Sequence, residues 1–339
     1  MRERSAILPV AVGLECAMPA PRILFVKLSS LGDIVHTLPA VTDLSERRPG
    51  AHVAWVVEEA YVDLVKLHPA VAEAIPFNLR SLRRNPLRPS GWRRIAGARR
   101  GVGEGGWDYV VDAQGLIKSA IVTKFARAPA FGLDAKSARE RLAARFYDVK
   151  IPVSWSLHAV DRNRKLLGEI FGYSPQGEAR YGLTRAAERP AWAPQGRYIV
   201  MLHAASRAEK RWPQERWIAL GQLLAKHDYA MVLPGGTTAE RAASARIAAE
   251  LPNAMAAPEM SLGEVAALLG HASGVVGVDT GLTHLAVALG VPTVGIYCAT
   301  QPDLTGLHGG GHAVNVGGRG AAPSVEAVGA AIGLGSQEE

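Results

Sequence analysis

Short apolar runs separated by amphipathic stretches set the rhythm of this chain. β-rich runs stand at Ile23–Val26, Val53–Val57, Tyr109–Val111, Tyr198–Leu202, Ala230–Leu233, Gly274–Val278 and Thr293–Ile296. Between most of them apolar residues recur at i, i+3 and i+4, over Ile34–Leu44, Ser119–Phe125, Trp217–Leu224, Ala239–Ala249, Leu262–Leu269 and Leu282–Leu289. Strands alternating with helices predict βαβ units and parallel sheets, hence an α/β fold. The rhythm lapses between Gly172 and Gly196 into Pro-, Gly-, Gln- and Ala-rich sequence and resumes at Tyr198, as an interdomain linker does. We therefore expect two Rossmann-like domains facing a central cleft, over residues 22–185 and 186–339, with residues 1–21 an N-terminal extension.

Composition agrees with that plan. The 339 residues are 48% hydrophobic and 20% charged, an ordinary globular balance with room for two cores. Cys16 and Cys298 lie far apart, with neither a disulfide framework nor a zinc spacing, which fits a reducing cytoplasmic setting. No apolar run is long enough to span a bilayer. Ala6 to Leu14 follows two arginines, but it contains Pro9 and lacks a cleavage signature, so it reads as an extension rather than a signal peptide.

Charge adds a partner class. The net charge is +7, and between Asn78 and Gly103 stand eight arginines (80, 83, 84, 88, 93, 94, 99 and 100) without one acid. Such a run attracts polyanions or is a solvated basic loop. With Trp92 its one aromatic, it lacks the interleaved stacking platform of single-strand nucleic-acid binders. An anionic lipid surface or glycolipid is therefore expected, and nucleic acid is not.

Four strand-to-helix turns carry candidate chemistry. The first, Ser29-Ser30-Leu31-Gly32-Asp33, follows the first strand, where ligands collect in open parallel sheets. It has neither the Gly-x-Gly-x-x-Gly spacing of dinucleotide folds nor a P-loop ending, which argues against a dehydrogenase or an NTPase. Gly32 permits close approach of another molecule, and Asp33 near a helix N-terminus stays ionised. A cap and a catalyst are served equally by that pattern. In His203–Pro213, Ser206 and Lys210 lie beside a helix start at which Pro213 is well placed, a combination suited to phosphate. After Leu233-Pro-Gly-Gly236, Glu240 could accept from ribose hydroxyls or stabilise its own helix. In Val278-Asp-Thr-Gly-Leu-Thr-His284, the amides of Thr280, Gly281 and Leu282 suit a diphosphate, with His284 one turn on.

Together the Val-Lys-Leu-Ser-Ser-Leu-Gly-Asp-Ile-Val-His-Thr-Leu-Pro opening, Trp55-Val-Val-Glu-Glu59, Asp112-Ala-Gln-Gly-Leu-Ile-Lys118-Ser119, the His203–Pro213 loop and Asp279–His284 resemble the lipopolysaccharide heptosyltransferases of glycosyltransferase family 9, in particular their type I branch. The resemblance runs from about Arg22 to about Gly310. It implies a GT-B enzyme of lipopolysaccharide core biosynthesis that moves L-glycero-D-manno-heptose from ADP-heptose to the inner Kdo of Kdo2-lipid A with inversion. On matched positions Asp33 is the general base. Ser206, Lys210, Glu240, Met260, Asp279, Thr280, Gly281 and His284 hold the donor, with Ala205 standing where the family often has a hydroxyl. Ser30, Gly32, Arg80, Arg83, Arg84, Lys118, Arg139 and His158 face the acceptor. No Asp-x-Asp motif occurs, so no metal cofactor is expected, and Lys210 with helix amides takes that place. The implied setting is the cytoplasmic face of a Gram-negative inner membrane, held peripherally through arginines. The type II heptosyltransferase, a GT-B sugar-nucleotide epimerase and a non-catalytic polyanion-binding protein are the competing readings.

Overall fold

The computed structural model describes residues 20–78 and 89–333, with side chains from residue 96 onward in the second stretch. Most of the expected N-terminal extension, and Arg80, Arg83 and Arg84, lie outside the described residues. Twelve strands among those residues form two sheets. The first holds β1 (Arg22–Val26), β2 (His52–Val57), β3 (Val71–Pro76), β4 (Tyr109–Asp112), β5 (Ala130–Leu133) and β6 (Val149–Ile151), in the order β3-β2-β1-β4-β5-β6. The second holds β7 (Tyr198–Leu202), β8 (Ala230–Leu233), β9 (Ala254–Ala256), β10 (Gly274–Val278), β11 (Thr293–Tyr297) and β12 (Ala313–Gly317), in the order β12-β11-β10-β7-β8-β9. Every pairing is parallel; Leu24 sits beside Ala54 and Val110, and Val276 beside Met201 and Val294. Each sheet thus repeats the Rossmann order, whose direction reverses beside its first strand and opens a crevice there.

The helices are α1 (Leu31–Val35), α2 (Leu38–Arg47), α3 (Val62–Lys66), α4 (Pro89–Glu104), α5 (Ile117–Thr123), α6 (Ala159–Phe171), α7 (Gln214–Ala225), α8 (Thr238–Ala249), α9 (Leu262–Gly270), α10 (Gly281–Ala288) and α11 (Val325–Ala331). The single helix expected over Ile34–Leu44 is two. Pro39 stands in the first turn of α2, where its missing N–H costs nothing; inside a continuous helix it would remove a hydrogen bond and clash.

The central strands are apolar because both faces are covered: Phe25, Trp55, Val200 and Ile296 are all at 1% exposure or less. One buried cluster includes Ile23, Trp55 and Phe171 from the first half and Val200, Leu268 and Leu285 from the second, so the two sheets share apolar packing. The α6 helix packs on α2, pinned where Arg164 Nε meets Asp43 Oδ2 at 2.7 Å, and ends at Gly172 in a left-handed cap with φ of +74°. The chain from there to Arg197 forms neither helix nor strand. It is tied down by Arg185, whose Nε and Nη2 donate to the carbonyls of Leu289 and Gly290 at 2.5 and 2.7 Å.

Candidate active site

The turns that follow β1, β7, β8 and β10 converge on a cavity of about 1070 Å³ between the halves. On its first wall, β1 runs into Ser29-Ser30-Leu31-Gly32-Asp33. Asp33 Oδ2 accepts from the Ser30 amide and hydroxyl, both at 3.1 Å, closing a capping box on α1. The same carboxylate pairs with the guanidinium of Arg139 through both oxygens. Cap and ion-pair partner are thus one group, and Asp33 also lines the cavity. Burial pushes its carboxyl up, but Lys27, Arg139 and the Ser30 amide outweigh that and hold it down at about 2.

Asp112-Ala-Gln-Gly proves to be the scaffold of this turn. Buried Gln114 accepts from the Leu28 amide at 2.7 Å and donates to the Ser29 carbonyl at 2.8 Å. Asp112 Oδ1 holds the Gln114 amide at 2.7 Å, and its Oδ2 takes the Tyr147 hydroxyl at 2.7 Å. Gly115 has a φ of +67°, and a Cβ there would come within 3.4 Å of the Arg139 amide nitrogen, so glycine admits the segment that carries Arg139. Lys27 lies beneath, donating to the Ala113 carbonyl at 2.8 Å; burial lowers its ammonium to about 8, which leaves it charged at neutral pH.

On the opposite wall, Asp279 directly follows β10. Its Oδ2 accepts Lys210 Nζ at 2.6 Å and Thr300 Oγ1 at 2.7 Å. Burial raises the Asp279 carboxyl, but His284, Lys210 and Thr300 bring it well below the usual carboxylate range. Thr280 is the N-cap of α10, whose first amides have no partners within the helix and point toward anions. Glu240 Oε2 accepts the amides of Gly236 and Thr237 at 3.0 and 2.8 Å in a capping box on α8. The first-turn role of Glu240 is therefore realised at the cavity wall.

Of the residues singled out in the sequence, Ser30, Gly32, Asp33, Arg139, Ser206, Lys210, Glu240, Met260, Asp279, Thr280, Gly281 and His284 line this cavity together. Lys118 sits behind the wall, its Nζ donating to Ser29 Oγ at 3.1 Å. His158 does not line it either. That histidine is the N-cap of α6, accepting from the Val160 amide, and it stacks on His308 with centroids 4.6 Å apart. Sequence reasoning passed over Lys27, His36, Arg162 and Thr300. Lys27 and Arg162 meet Asp33, His36 and Arg139 around a smaller cavity of about 160 Å³. A lysine closing an otherwise apolar strand was the one visible signal; the others depend on partners distant in sequence. Among the described residues no group of three or more His, Cys, Asp or Glu is placed to hold a metal ion.

With that geometry, likeness to known proteins acquires a site. The family model for glycosyltransferase family 9 (heptosyltransferase) matches residues 95–330. The chain is 43% identical over 295 residues to lipopolysaccharide heptosyltransferase 1 of Pseudomonas aeruginosa, covering 85% of this chain and 81% of that protein. To the Escherichia coli K12 lipopolysaccharide heptosyltransferase 1 it is 39% identical over 290 residues, covering 85% and 91%. The solved E. coli heptosyltransferase WaaC with ADP superposes at a TM-score of 0.87 with 36% identity, covering 93% of this chain and 100% of that one. The same enzyme with ADP-2-deoxy-2-fluoro heptose gives 0.82 at the same identity and coverage. Two parallel Rossmann sheets facing a cavity, with a carboxylate on one wall and a lysine with helix amides on the other, are in this chain the GT-B fold of glycosyltransferase family 9, the heptosyltransferases, to which it belongs.

Proposed function

We propose that this chain transfers L-glycero-D-manno-heptose from ADP-heptose to the inner Kdo of Kdo2-lipid A, inverting the anomeric centre. One observation carries the reading: Asp33 and the Lys210–Asp279 pair face one cavity from opposite sheets, so a base and an anion cradle flank a single space. Residues 186–339 take the donor. Lys210, the α10 amides, Ser206 and His284 meet the diphosphate, while Glu240 offers an oxygen to the ribose and Met260 packs near the adenine. Asp279 acts through Lys210, since its carboxylate holds the ammonium and would repel a phosphate. Lys210 and the helix amides stabilise the charge that develops on departing ADP, with no metal assigned to that task.

Residues 22–185 take the acceptor. Asp33 accepts the proton of the attacking Kdo hydroxyl, with Ser30 and Gly32 forming the floor. A carboxylate held near 2 is a weak base, but a hydroxyl becomes strongly acidic as its oxygen bonds to the anomeric carbon. An acceptor carboxylate that draws Arg139 away from Asp33 strengthens the base as the acceptor arrives. Lys118 and His158 support this side from behind the wall. Arg80, Arg83 and Arg84, which lie outside the described residues, belong with the acceptor phosphates and an anionic membrane surface. No helix among the described residues is long and apolar enough to cross a membrane.

The type II and epimerase readings are not favoured: the relatives at 39–43% identity carry the type 1 name, and the solved heptosyltransferase II, at 22% identity and a TM-score of 0.74, shares the fold. Incubating the protein with ADP-heptose and Kdo2-lipid A should yield an acceptor heavier by one heptose in the mass spectrum. A product formed only from an acceptor already carrying one heptose would move the assignment to type II, and conversion of the nucleotide sugar without acceptor would move it to an epimerase.

A further inference from the structure

His36 has no part in the chemistry above, yet the two halves meet through it. It caps the C-terminus of α1, the short helix that contains Asp33, and its ring is buried at 5% exposure. Its carbonyl accepts Asn163 Nδ2 at 3.1 Å. Its Nε2 lies 3.2 Å from Nδ1 of His284, a residue of α10 in the other half, with the rings at 79° and centroids 4.5 Å apart. His284 Nε2 is in turn 3.8 Å from Asp279 Oδ1, and the other oxygen of that carboxylate takes Lys210 and Thr300. The backbones at this junction have no slack: a Cβ on Gly281 would stand 2.6 Å from Leu31 Cβ and 2.8 Å from the Gly32 amide nitrogen. A line of polar atoms therefore runs from the turn that carries the base to the lysine that faces the diphosphate.

Proton accounting gives that line a direction. Two ring nitrogens 3.2 Å apart make a hydrogen bond when one is protonated and the other bare. The Asp279 carboxylate is too far from His284 Nε2 for a direct hydrogen bond. It is near enough to favour a proton on that nitrogen, as a carboxylate behind a histidine does in metal and catalytic sites. With a single proton held on Nε2, the Nδ1 of His284 is bare and His36 is the donor. The opposite tautomer would set the Nε2 lone pair of His284 against the Asp279 charge.

We propose that His36 is a positioning residue of the donor site: by donating its Nε2–H to His284 Nδ1 it fixes the His284 tautomer and ring, and through Asp279 the place of Lys210. The acceptor half thereby preorganises the diphosphate cradle of the donor half. This rests on the donor reading above, and its test uses ADP alone, so that it does not depend on heptose transfer. His36→Leu should weaken ADP binding, measured by calorimetry, by about tenfold, the loss of one well-placed interaction. His36→Gln, whose amide can supply the missing N–H, should recover at least threefold of that loss, which a packing role would not predict. In ¹⁵N-histidine spectra of the wild type, with the signal assigned through His284→Gln, His284 should carry its proton on Nε2. A proton on Nδ1 instead, unchanged ADP affinity in His36→Leu, or a His36→Gln protein as impaired as His36→Leu would each overturn the proposal. If His36→Leu fails to fold, the wild-type tautomer and His36→Gln decide it. Absence of ADP binding in the wild type would remove the donor reading itself, while loss of heptose transfer with these responses intact would remove only the transfer reading.

Discussion

Asp33 carries three interactions at once: it closes the capping box on α1, binds Arg139 and offsets the buried charge of Lys27. Asp33→Asn keeps the size of the side chain and removes the charge, so ADP affinity should stay within about threefold while kcat for transfer falls on the order of 10² or more. Single-turnover assays beside calorimetry separate the two effects, and near-normal turnover would remove Asp33 from the role of base. Asp33, Lys210 and Asp279 stood out in the sequence because each lies in the stretch that leads from an apolar strand into the next helix. His36 lay within the same opening motif and stayed silent, since its partner is 248 positions away. The alternatives left open by local pattern for Glu240 and Asp33 reflect the same limit: a carboxylate three residues after a Thr or Ser caps its own helix whatever else it faces.

At the scale of elements, the meeting of α1 with α10 decides the width of the cleft. The contact is glycine against glycine: Gly281 leaves no space for a methyl group against Leu31 and Gly32, and this closeness brings His36 to His284. Gly281→Ala should force the two helices apart. Overpacking of this kind costs about 1–3 kcal/mol, readable in urea unfolding, and we expect kcat/KM for transfer to fall more than tenfold; an unchanged kcat/KM would show that the halves close without this junction. Helical periodicity placed most of the helices within a few residues. It ran α1 and α2 together because both have apolar inner faces, and the break rests on the position of Pro39. Strands β3, β6, β9 and β12 went unread for another reason. They are the outer strands of their sheets, so they are short or only part covered, with sequences such as Val-Lys-Ile and Ala-Met-Ala, and carry little of the apolar run that marks a central strand. Internal β5, Ala-Phe-Gly-Leu, has its apolar run broken by a glycine, a residue that weakens the strand pattern.

For the molecule as a whole, burying charge beside the cleft ties stability to pH. The Lys27 ammonium drops from 10.5 to about 8 through burial. Below pH 8 the folded protein bears the full cost of that charge; between pH 8 and 10.5 the unfolded chain binds the extra proton, so stability rises with pH. The unfolding free energy of wild type relative to Lys27→Met should therefore increase across that window, by up to about 3 kcal/mol, and a flat difference would show that Lys27 is not buried as a cation. Asp33 has the opposite dependence: its carboxyl is lowered from 3.8 to about 2, so its contribution is complete above pH 4 and lost as pH falls toward 2. Both windows lie outside neutral pH, which leaves the opposite charges of Lys27 and Asp33 in place there.

Read alone, the chain reveals its parallel α/β architecture, the strand-end turns that come to line the cavity and its family, because periodicity, turn chemistry and motif spacing are local properties. The tertiary structure is what puts these side chains around one cavity, sets Asp112 and Gln114 beneath the Ser29–Asp33 turn, pairs Asp279 with Lys210 and brings His36 to His284. Those facts depend on the relative placement of two sheets, and hence on packing between residues far apart along the chain, where no local pattern records the distance.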